Sequence, residues 1–213
     1  EDKTIREVLS KSPKALKQDE KNYVWNLTEE ERTGNRFVNM NILGDFCYIS
    51  KGMVVNAHEN IEKGAFKKED LISLHFDDVH SRKYLEAKDI DKYQVRRVRY
   101  LEWNTERCPN KLSRPTFREL YDCPKLIMNC LGTINVTIDI EEHFLHNHSI
   151  YCAVLWKDLK DVSNKSISSS IKKFCKHNRA KMEILSGEVN LYYLLGILNS
   201  SMANQLLADQ RGG

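Results

Sequence analysis

Residues 87–129, AKDIDKYQVRRVRYLEWNTERCPNKLSRPTFRELYDCPKLIMN, combine in one stretch the elements that decide the fold. The alternation in residues 94–101 predicts a strand. One face of this strand would carry Val95, Arg97, Arg99 and Leu101. Neither face is wholly apolar, which predicts a position near a sheet edge or beside a charged groove. The alternative is a solvated face balanced by Glu86 and Asp89.

A proline-bounded loop and a short helix are expected after this strand. Pro109 and Pro115 exclude a continuous helix or a central strand between them. The apolar residues of PTFRELYD then recur at helical spacing, and Pro124 is expected to end that helix.

Apolar segments elsewhere predict several strands and two longer helices. The strand candidates are DFCYIS (45–50), LISLHF (71–76), KLIMNC (125–130), TINVTIDI (133–140) and SIYCAVLW (149–156). Within residues 157–181, Ile167, Ile171 and Phe174 predict an amphipathic helix, and residues 190–210 predict a docked helix. The apolar stripe of that last helix would comprise Leu191, Leu194, Leu195, Leu198, Met202 and Leu206. Strands that follow one another without long helical insertions predict an α+β fold with a mixed, largely antiparallel sheet, flanking helices and a C-terminal docked helix.

The ends of the chain suggest a piece of a longer protein. Residues 1–36 are interpreted as an N-terminal connector, with a short helix in residues 1–16 and a strand or anchor at Tyr23, Val24 and Trp25. Residues 37–213 would form one domain, truncated at its C-terminus. The first residue is not Met, and no signal peptide is evident.

Composition is that of a folded protein: 41% of the 213 residues are hydrophobic and 30% are charged. The sequence contains no apolar run of about eighteen residues, so no membrane-spanning helix is predicted. The six cysteines contain no CxxC pair, which favours reduced thiols and a cytoplasmic location; a disulfide framework is the alternative.

Positive charge is concentrated in two tracts, although the whole chain carries only +3. Residues 82–118, here called the basic window, hold eleven lysines and arginines against five acids. Residues 157–181 hold eight against two. Such concentration indicates an anionic partner.

The sequence contains no known catalytic signature. GxxxxGK[ST], HExxH, GxSxG and GxGxxG motifs are all missing. His143, His146 and His148 with Cys123 and Cys130 match no common zinc spacing, so no metal site is predicted. No nucleophile stands beside an evident base, and no catalytic residue is therefore assigned.

Several short motifs, in order, resemble the TaqI-like C-terminal specificity domain. They are LGD (43–45), ISKGMVVN (49–56), KDIDKY (88–93), SRP (113–115), ELYDCPKL (119–126) and LLGILNS (194–200). The resemblance spans about residues 40–210. In that family the domain recognises target DNA for N6-adenine methyltransferases, which are fused in some type II restriction–modification enzymes.

The resemblance implies a function for residues 37–213 as a double-stranded DNA target-recognition domain. The catalytic motif and the S-adenosylmethionine site would belong to an N-terminal methyltransferase domain of the same parent chain, which would also be a partner. The fragment itself would then be no enzyme and bind no cofactor, while the parent would methylate DNA and, in a restriction–modification enzyme, also cleave it.

Eleven residues are candidates for DNA contact on this interpretation. Lys51, Asn56, Arg82, Lys83 and Lys88 would contact phosphates or line a groove; Arg96, Arg97, Arg99, Lys111 and Arg114 would form the main binding face; Lys125 occupies a family motif position. The Lys51-Gly52 turn could bring backbone N–H groups to a phosphate, although glycine as structural punctuation is the commoner explanation.

Two other hypotheses remain open from the sequence. A protein-interaction module would use helix 190–210 to dock a methyltransferase or a specificity subunit. The other hypothesis is a nuclease or RNA-binding enzyme with an unrecognised site. Only a DNA-binding module should bind duplex DNA with an affinity that falls steeply as salt rises.

Overall fold

The computed structural model describes residues 41–57, 66–129 and 131–210, together with the two short strands near the N-terminus. The strands are β1 (Gln18–Asp19), β2 (Val24–Trp25), β3 (Cys47–Lys51), β4 (Val54–Ala57), β5 (Ile72–Ser73), β6 (Arg82–Leu85), β7 (Ile90–Asp91), β8 (Gln94–Val95), β9 (Arg99–Leu101), β10 (Leu112–Arg114), β11 (Lys125–Asn129), β12 (Val136–Asp139), β13 (Leu145–His146) and β14 (Ile150–Leu155). The helices are α1 (Leu43–Phe46), α2 (Glu119–Asp122), α3 (Lys165–Phe174), α4 (Arg179–Gly187), α5 (Leu191–Asn199) and α6 (Ser201–Gln210). Single 3₁₀ turns span Lys68–Leu71, Ala87–Asp89 and Trp156–Leu159.

The chain divides into two units. Ile42–Asn204 form the larger unit, and Glu1–Asn41 with Gln205–Gly213 form the smaller one. In the smaller unit β1 and β2 pair antiparallel, Gln18 opposite Trp25. Trp25 therefore lies in a strand, whereas the predicted helix in residues 1–16 and the predicted boundary at residue 36 lie outside the described residues.

The central sheet of the larger unit has the order β12-β11-β14-β3 and is antiparallel throughout. β11 and β14 are its inner strands, and their apolar residues are buried on both faces. Leu126 pairs with Ile138 on one side and Ala153 on the other. The three strands predicted from residues 125–156 are confirmed, and so is the α+β fold.

A second sheet, β13-β6-β9-β5, packs beside the main core and is mixed, because β13 runs parallel to β6. Two-stranded ladders join β4 to β10 and β7 to β8. These short strands carry most of the basic window, so its residues belong to several small elements instead of one long strand.

One hydrophobic core joins the two sheets to the helices. Its largest side chains include Tyr48, Tyr84, Tyr121 and Trp156, all buried. The Tyr48 ring contacts Trp156 edge to face, with ring centroids 5.7 Å apart, and Phe117 in a tilted arrangement, with centroids 5.8 Å apart. This aromatic chain positions the loop around Phe117, which forms part of the cleft described below.

Several predicted elements differ in detail from the structure. The predicted strand 94–101 breaks into β8 and β9, because the Asp89 carbonyl accepts the backbone N–H of Arg96 at 2.7 Å. DFCYIS begins as α1, where the Asp45 carboxylate accepts the Ile42 N–H at 2.9 Å. LISLHF forms only the strand β5. The amphipathic helix predicted from Ile167, Ile171 and Phe174 is α3, and α4 follows it as a further helix that was not predicted.

The predicted C-terminal helix is two helices, α5 and α6, separated at Ser200, whose backbone is extended. Leu191, Leu194 and Leu195 are buried, and α5 packs on β12 and β11. Met202 is 71% exposed and does not belong to the buried stripe, whereas the Leu206 side chain lies outside the described residues.

The short helix predicted before Pro124 is confirmed as α2. Five of the cysteines, Cys47, Cys108, Cys123, Cys152 and Cys175, are free thiols. Within the described ranges no helix is both long and apolar enough to cross a membrane.

Candidate nucleic-acid interface

Arg99 stabilises the fold from within the basic window. Its guanidinium donates to both oxygens of Asp89, at 2.6 and 3.1 Å, and lies 3.8 Å from Glu86. The Arg99 side chain is 12% exposed and that of Asp89 2%. The hydrogen bond to Asp89 raises the pKa of Arg99 above its usual value. The expectation that Arg99 faces DNA is therefore replaced by a structural role.

Asp89 organises the surrounding turn as well. Its carboxylate accepts the Glu86 N–H at 2.9 Å. The Glu86 carboxylate forms ion pairs with Lys68 at 2.7 Å and with Lys88 at 3.1 Å. Burial would raise the pKa of Glu86, but these two lysines outweigh burial and lower it. Lys88 is exposed, yet part of its charge is neutralised by Glu86.

Most of the other predicted cations also have partners. Lys83 pairs with Glu142, Arg96 donates to Asp91 and Lys111 reaches Glu106 at 2.6 Å. A phosphate would have to compete with these carboxylates. Arg97 differs, because its side chain is exposed and forms no ion pair with any described residue.

Lys125 is fully buried. Its ammonium lies 2.7 Å from the Asp139 carboxylate and donates to the Tyr121 carbonyl at 2.6 Å, and the Lys125 and Asp139 side chains are 0% and 1% exposed. The expectation that Lys125 contacts DNA is a further correction, since no surface partner can reach it in this structure.

The Lys51-Gly52 turn serves packing. The Gly52 N–H donates to the Ile150 carbonyl at 3.1 Å, and the Gly52 carbonyl accepts Arg114 at 2.9 Å. A side chain at Gly52 would overlap with His146 and Asn147, which explains the glycine. The N–H group proposed for phosphate is thus already used. Lys51 itself is exposed beside the Tyr151 ring, 5.3 Å from its centroid, and Asn56 lies in β4.

The second tract offers several cations that are not neutralised, although Arg179 within it pairs with Glu183 at 2.7 Å. Residues 162–182, here called the lysine surface, contain no Asp or Glu. Lys165, Lys172, Lys173 and Lys181 are exposed and form no ion pair with any described residue. α3 buries Ile167, so its serines 166, 168 and 169 are exposed with the lysines. No site residue was predicted here, because the lysines were interpreted as the solvated face of a helix.

The two helices of this surface are built alike at their N-termini. Asn164 accepts the Ile167 N–H at 2.9 Å, and Asn178 accepts the Lys181 N–H at 3.0 Å. Neither first turn contains an acid. The partial positive charge of each helix N-terminus is consequently not offset by a local carboxylate.

A cleft of about 490 Å³ opens between the loop after β9 and the loop before α2. It is lined by Ser81, Arg82, Trp103, Asn104, Pro109, Pro115, Thr116, Phe117, Arg118, Tyr121, Asp122 and Leu145. Arg82 is the only predicted site residue there. The other lining residues were missed, although aromatic residues beside prolines in a basic loop were a visible signal.

Two arginines converge on one carboxylate in this cleft. Arg118 Nε lies 2.6 Å from Asp122, and Arg82 lies 3.7 Å from Asp122. The Arg82 guanidinium also lies 5.4 Å from the centroid of the Trp103 ring. The cleft therefore combines an aromatic platform with net positive charge.

No group of three or more potential metal ligands converges within residues 41–57, 66–129 and 131–210.

No known protein family model matches the chain, and no curated protein is similar to it at a significant level.

Proposed function

We propose that this chain is a duplex DNA-recognition module. The observation that carries the proposal is the lysine surface, where four exposed lysines form no ion pair with any described residue and 21 consecutive residues contain no acid. Lysines together with serine hydroxyls are common phosphate ligands in protein–DNA complexes. Their availability favours a polyanionic partner more directly than the largely paired basic window does.

The finer proposal is target recognition for an N6-adenine methyltransferase domain, and it comes from the motif resemblance. Several motif residues hold the scaffold: Gly52 packs on His146, Asp89 ties the 3₁₀ turn, Lys125 pairs with Asp139 and Asn199 binds β12. Shared scaffold residues with variable contact loops are what such a recognition module requires. The free thiols support a reducing cytoplasm as its location.

A salt titration tests the proposal. Residues 1–213 should bind duplex DNA with an affinity that falls steeply between about 50 and 200 mM salt, because each neutralised phosphate releases counterions. Lys172→Ala with Lys173→Ala should reduce the slope of log affinity against log salt by about 2. Fluorescence anisotropy with a labelled duplex measures both.

Lys111→Ala is the matched control, because Lys111 is already paired with Glu106. It should change the slope by much less than the double variant. An affinity that does not depend on salt would contradict the proposal, as would a slope that persists unchanged without Lys172 and Lys173.

A protein-interaction module is the second candidate, favoured by α5. Tyr192, Tyr193 and Ile197 are 62%, 67% and 43% exposed on that helix. An apolar helix face of this kind fits a protein partner such as a methyltransferase domain. A module that bound only protein would show no salt-dependent affinity for duplex DNA.

A further inference from the structure

We infer that the cleft around Trp103 binds a single unstacked nucleobase together with its phosphate. This inference rests on the proposed DNA-binding function and adds a second, distinct contact to it. The lysine surface would hold the paired duplex, whereas the cleft would take a base that has left the stack.

The platform for such a base is Trp103. The Trp103 ring is half-buried and packs against the hydrophobic core. The main chain that carries it is fixed by the Trp103 N–H, which donates to the Val79 carbonyl at 3.0 Å. Phe117 lies in the same cleft and is held by Tyr48. Aromatic rings held in this way are the groups on which proteins stack unpaired bases, and such stacking tolerates any base.

The charges of the cleft select an anion. Arg82 and Arg118 share Asp122, so one positive charge remains. The Arg118 side chain is 86% exposed, so a phosphate can approach it, although Asp122 competes for the guanidinium. Arg82 beside the Trp103 ring adds a planar cation that stacks well with bases.

Polar groups around the rings can bind the edge of the base. Asn104 and Thr116 both line the cleft and both have left-handed backbone, with φ of 57° and 65°. Thr116 is fixed by its hydroxyl, which donates to the Tyr121 hydroxyl at 2.6 Å. Non-glycine residues in this conformation cost energy and cluster at binding sites. Asn104 supplies an amide donor and acceptor, and its side chain is exposed for a partner.

The test compares two duplexes of the same sequence, one fully paired and one with a single bulged nucleotide. The protein should bind the bulged duplex about tenfold more tightly, as stacking of one base on an aromatic side chain predicts. Trp103→Ala should reduce this ratio to about one, and Trp103→Phe should preserve part of it. Arg118→Ala, on an exposed side chain, should lower the ratio without affecting folding.

Two controls separate this inference from the proposed function. Lys172→Ala with Lys173→Ala should weaken binding of both duplexes equally and leave the ratio unchanged. Quenching of tryptophan fluorescence by a deoxynucleoside monophosphate, present in the wild type and reduced in Trp103→Phe, tests the cleft without any duplex.

The outcomes are distinct. Equal affinity for the two duplexes, or a preference that survives Trp103→Ala in a folded variant, overturns the inference while salt-dependent binding of the paired duplex still supports the proposed function. Failure to bind either duplex overturns the proposed function, and the absence of nucleotide quenching then overturns the inference as well.

Discussion

At the scale of single residues, the buried carboxylate of Asp139 shows why Lys125 is needed for the stability of the fold. The Asp139 carboxylate binds Lys125 and also accepts the backbone N–H groups of His143 at 3.0 Å and Phe144 at 2.8 Å. One buried carboxylate therefore fixes the start of β11 and the turn after β12. Both charges are compensated only as long as both side chains are present.

Lys125→Met is expected to lower the free energy of unfolding by about 3–5 kcal/mol, because it leaves the Asp139 charge buried without its cation. Methionine nearly preserves the length of the side chain. Urea denaturation measures the change, with Lys172→Met as the control on an exposed lysine that should stay within about 0.5 kcal/mol. A stable Lys125→Met variant that had lost DNA affinity would restore Lys125 as a contact residue.

Sequence reasoning could not separate Lys125 and Arg99 from Arg97. Arg97 and Arg99 occur in the basic window and Lys125 follows it closely in the sequence, and all three are of types that commonly bind DNA. The difference lies in carboxylates from other elements: Asp139 on β12 and Asp89 in a 3₁₀ turn. Tertiary pairing decides which cations remain available, and a pattern of charges along the chain does not contain it.

At the scale of elements, the end of α5 is joined to the central sheet by an amide. The Asn199 side chain accepts the Val136 N–H at 3.0 Å and donates to the Val136 carbonyl at 2.8 Å. Asn204 on α6 accepts the Ile134 N–H at 2.8 Å. The two amides bind the backbone at the start of β12 and just before it, and they lie on either side of the break at Ser200.

Asn199→Ala should destabilise the fold by about 1–3 kcal/mol, since the buried N–H and carbonyl of Val136 would lose a partner. Chemical denaturation of the variant measures this loss. Asn110→Ala, at an exposed asparagine, is the matched control and should change little. If both variants had the same stability as the wild type, the amide would not be holding the helix.

Elements with apolar residues on both faces were predictable, and elements with mixed faces were not. β11 and β14 begin and end within a few residues of the predicted ranges, because burial on both sides makes their sequences largely apolar. The run QVRRVRYL alternates just as regularly, yet it breaks where Asp89 captures the backbone of Arg96. Periodicity describes side chains and does not reveal such backbone competition.

At the scale of the whole molecule, one buried histidine links folding to pH. His146 packs edge to face on Tyr121, with ring centroids 5.2 Å apart. Burial, reinforced by the charge of Lys125, lowers the pKa of His146 to about 3. The folded protein therefore keeps His146 neutral at a pH where the unfolded chain, with an ordinary pKa near 6.5, binds a proton.

Stability should consequently fall as pH drops below about 6.5, by at most about 1.4 kcal/mol per pH unit from this residue. The informative range is about pH 5 to 6.5, because the carboxylates of Glu86 and Glu102 have lowered pKa values and stay ionised there. Urea denaturation at several pH values measures the slope. His146→Leu should remove most of it, and His75→Leu, at an exposed histidine, should not.

The whole-molecule charge was the most predictable functional feature, although its location was not. Two tracts of equal net charge were evident in the sequence. Acids interspersed in residues 82–118 proved to be close partners of the cations, whereas residues 162–182 contain none. The spacing of the acids was therefore a better guide to which cations remain unpaired than the number of cations was.

The amides bound to Val136 have a consequence for the protein in concentrated solution. The outer strand of an open sheet offers unpaired N–H and carbonyl groups to which a second chain can add, and this is a common route to aggregation. At β12 the Val136 groups are occupied by Asn199, and the Tyr93 N–H also donates to the Val136 carbonyl at 2.8 Å. The same contacts that hold α5 thus protect this edge of the sheet against self-association by strand addition.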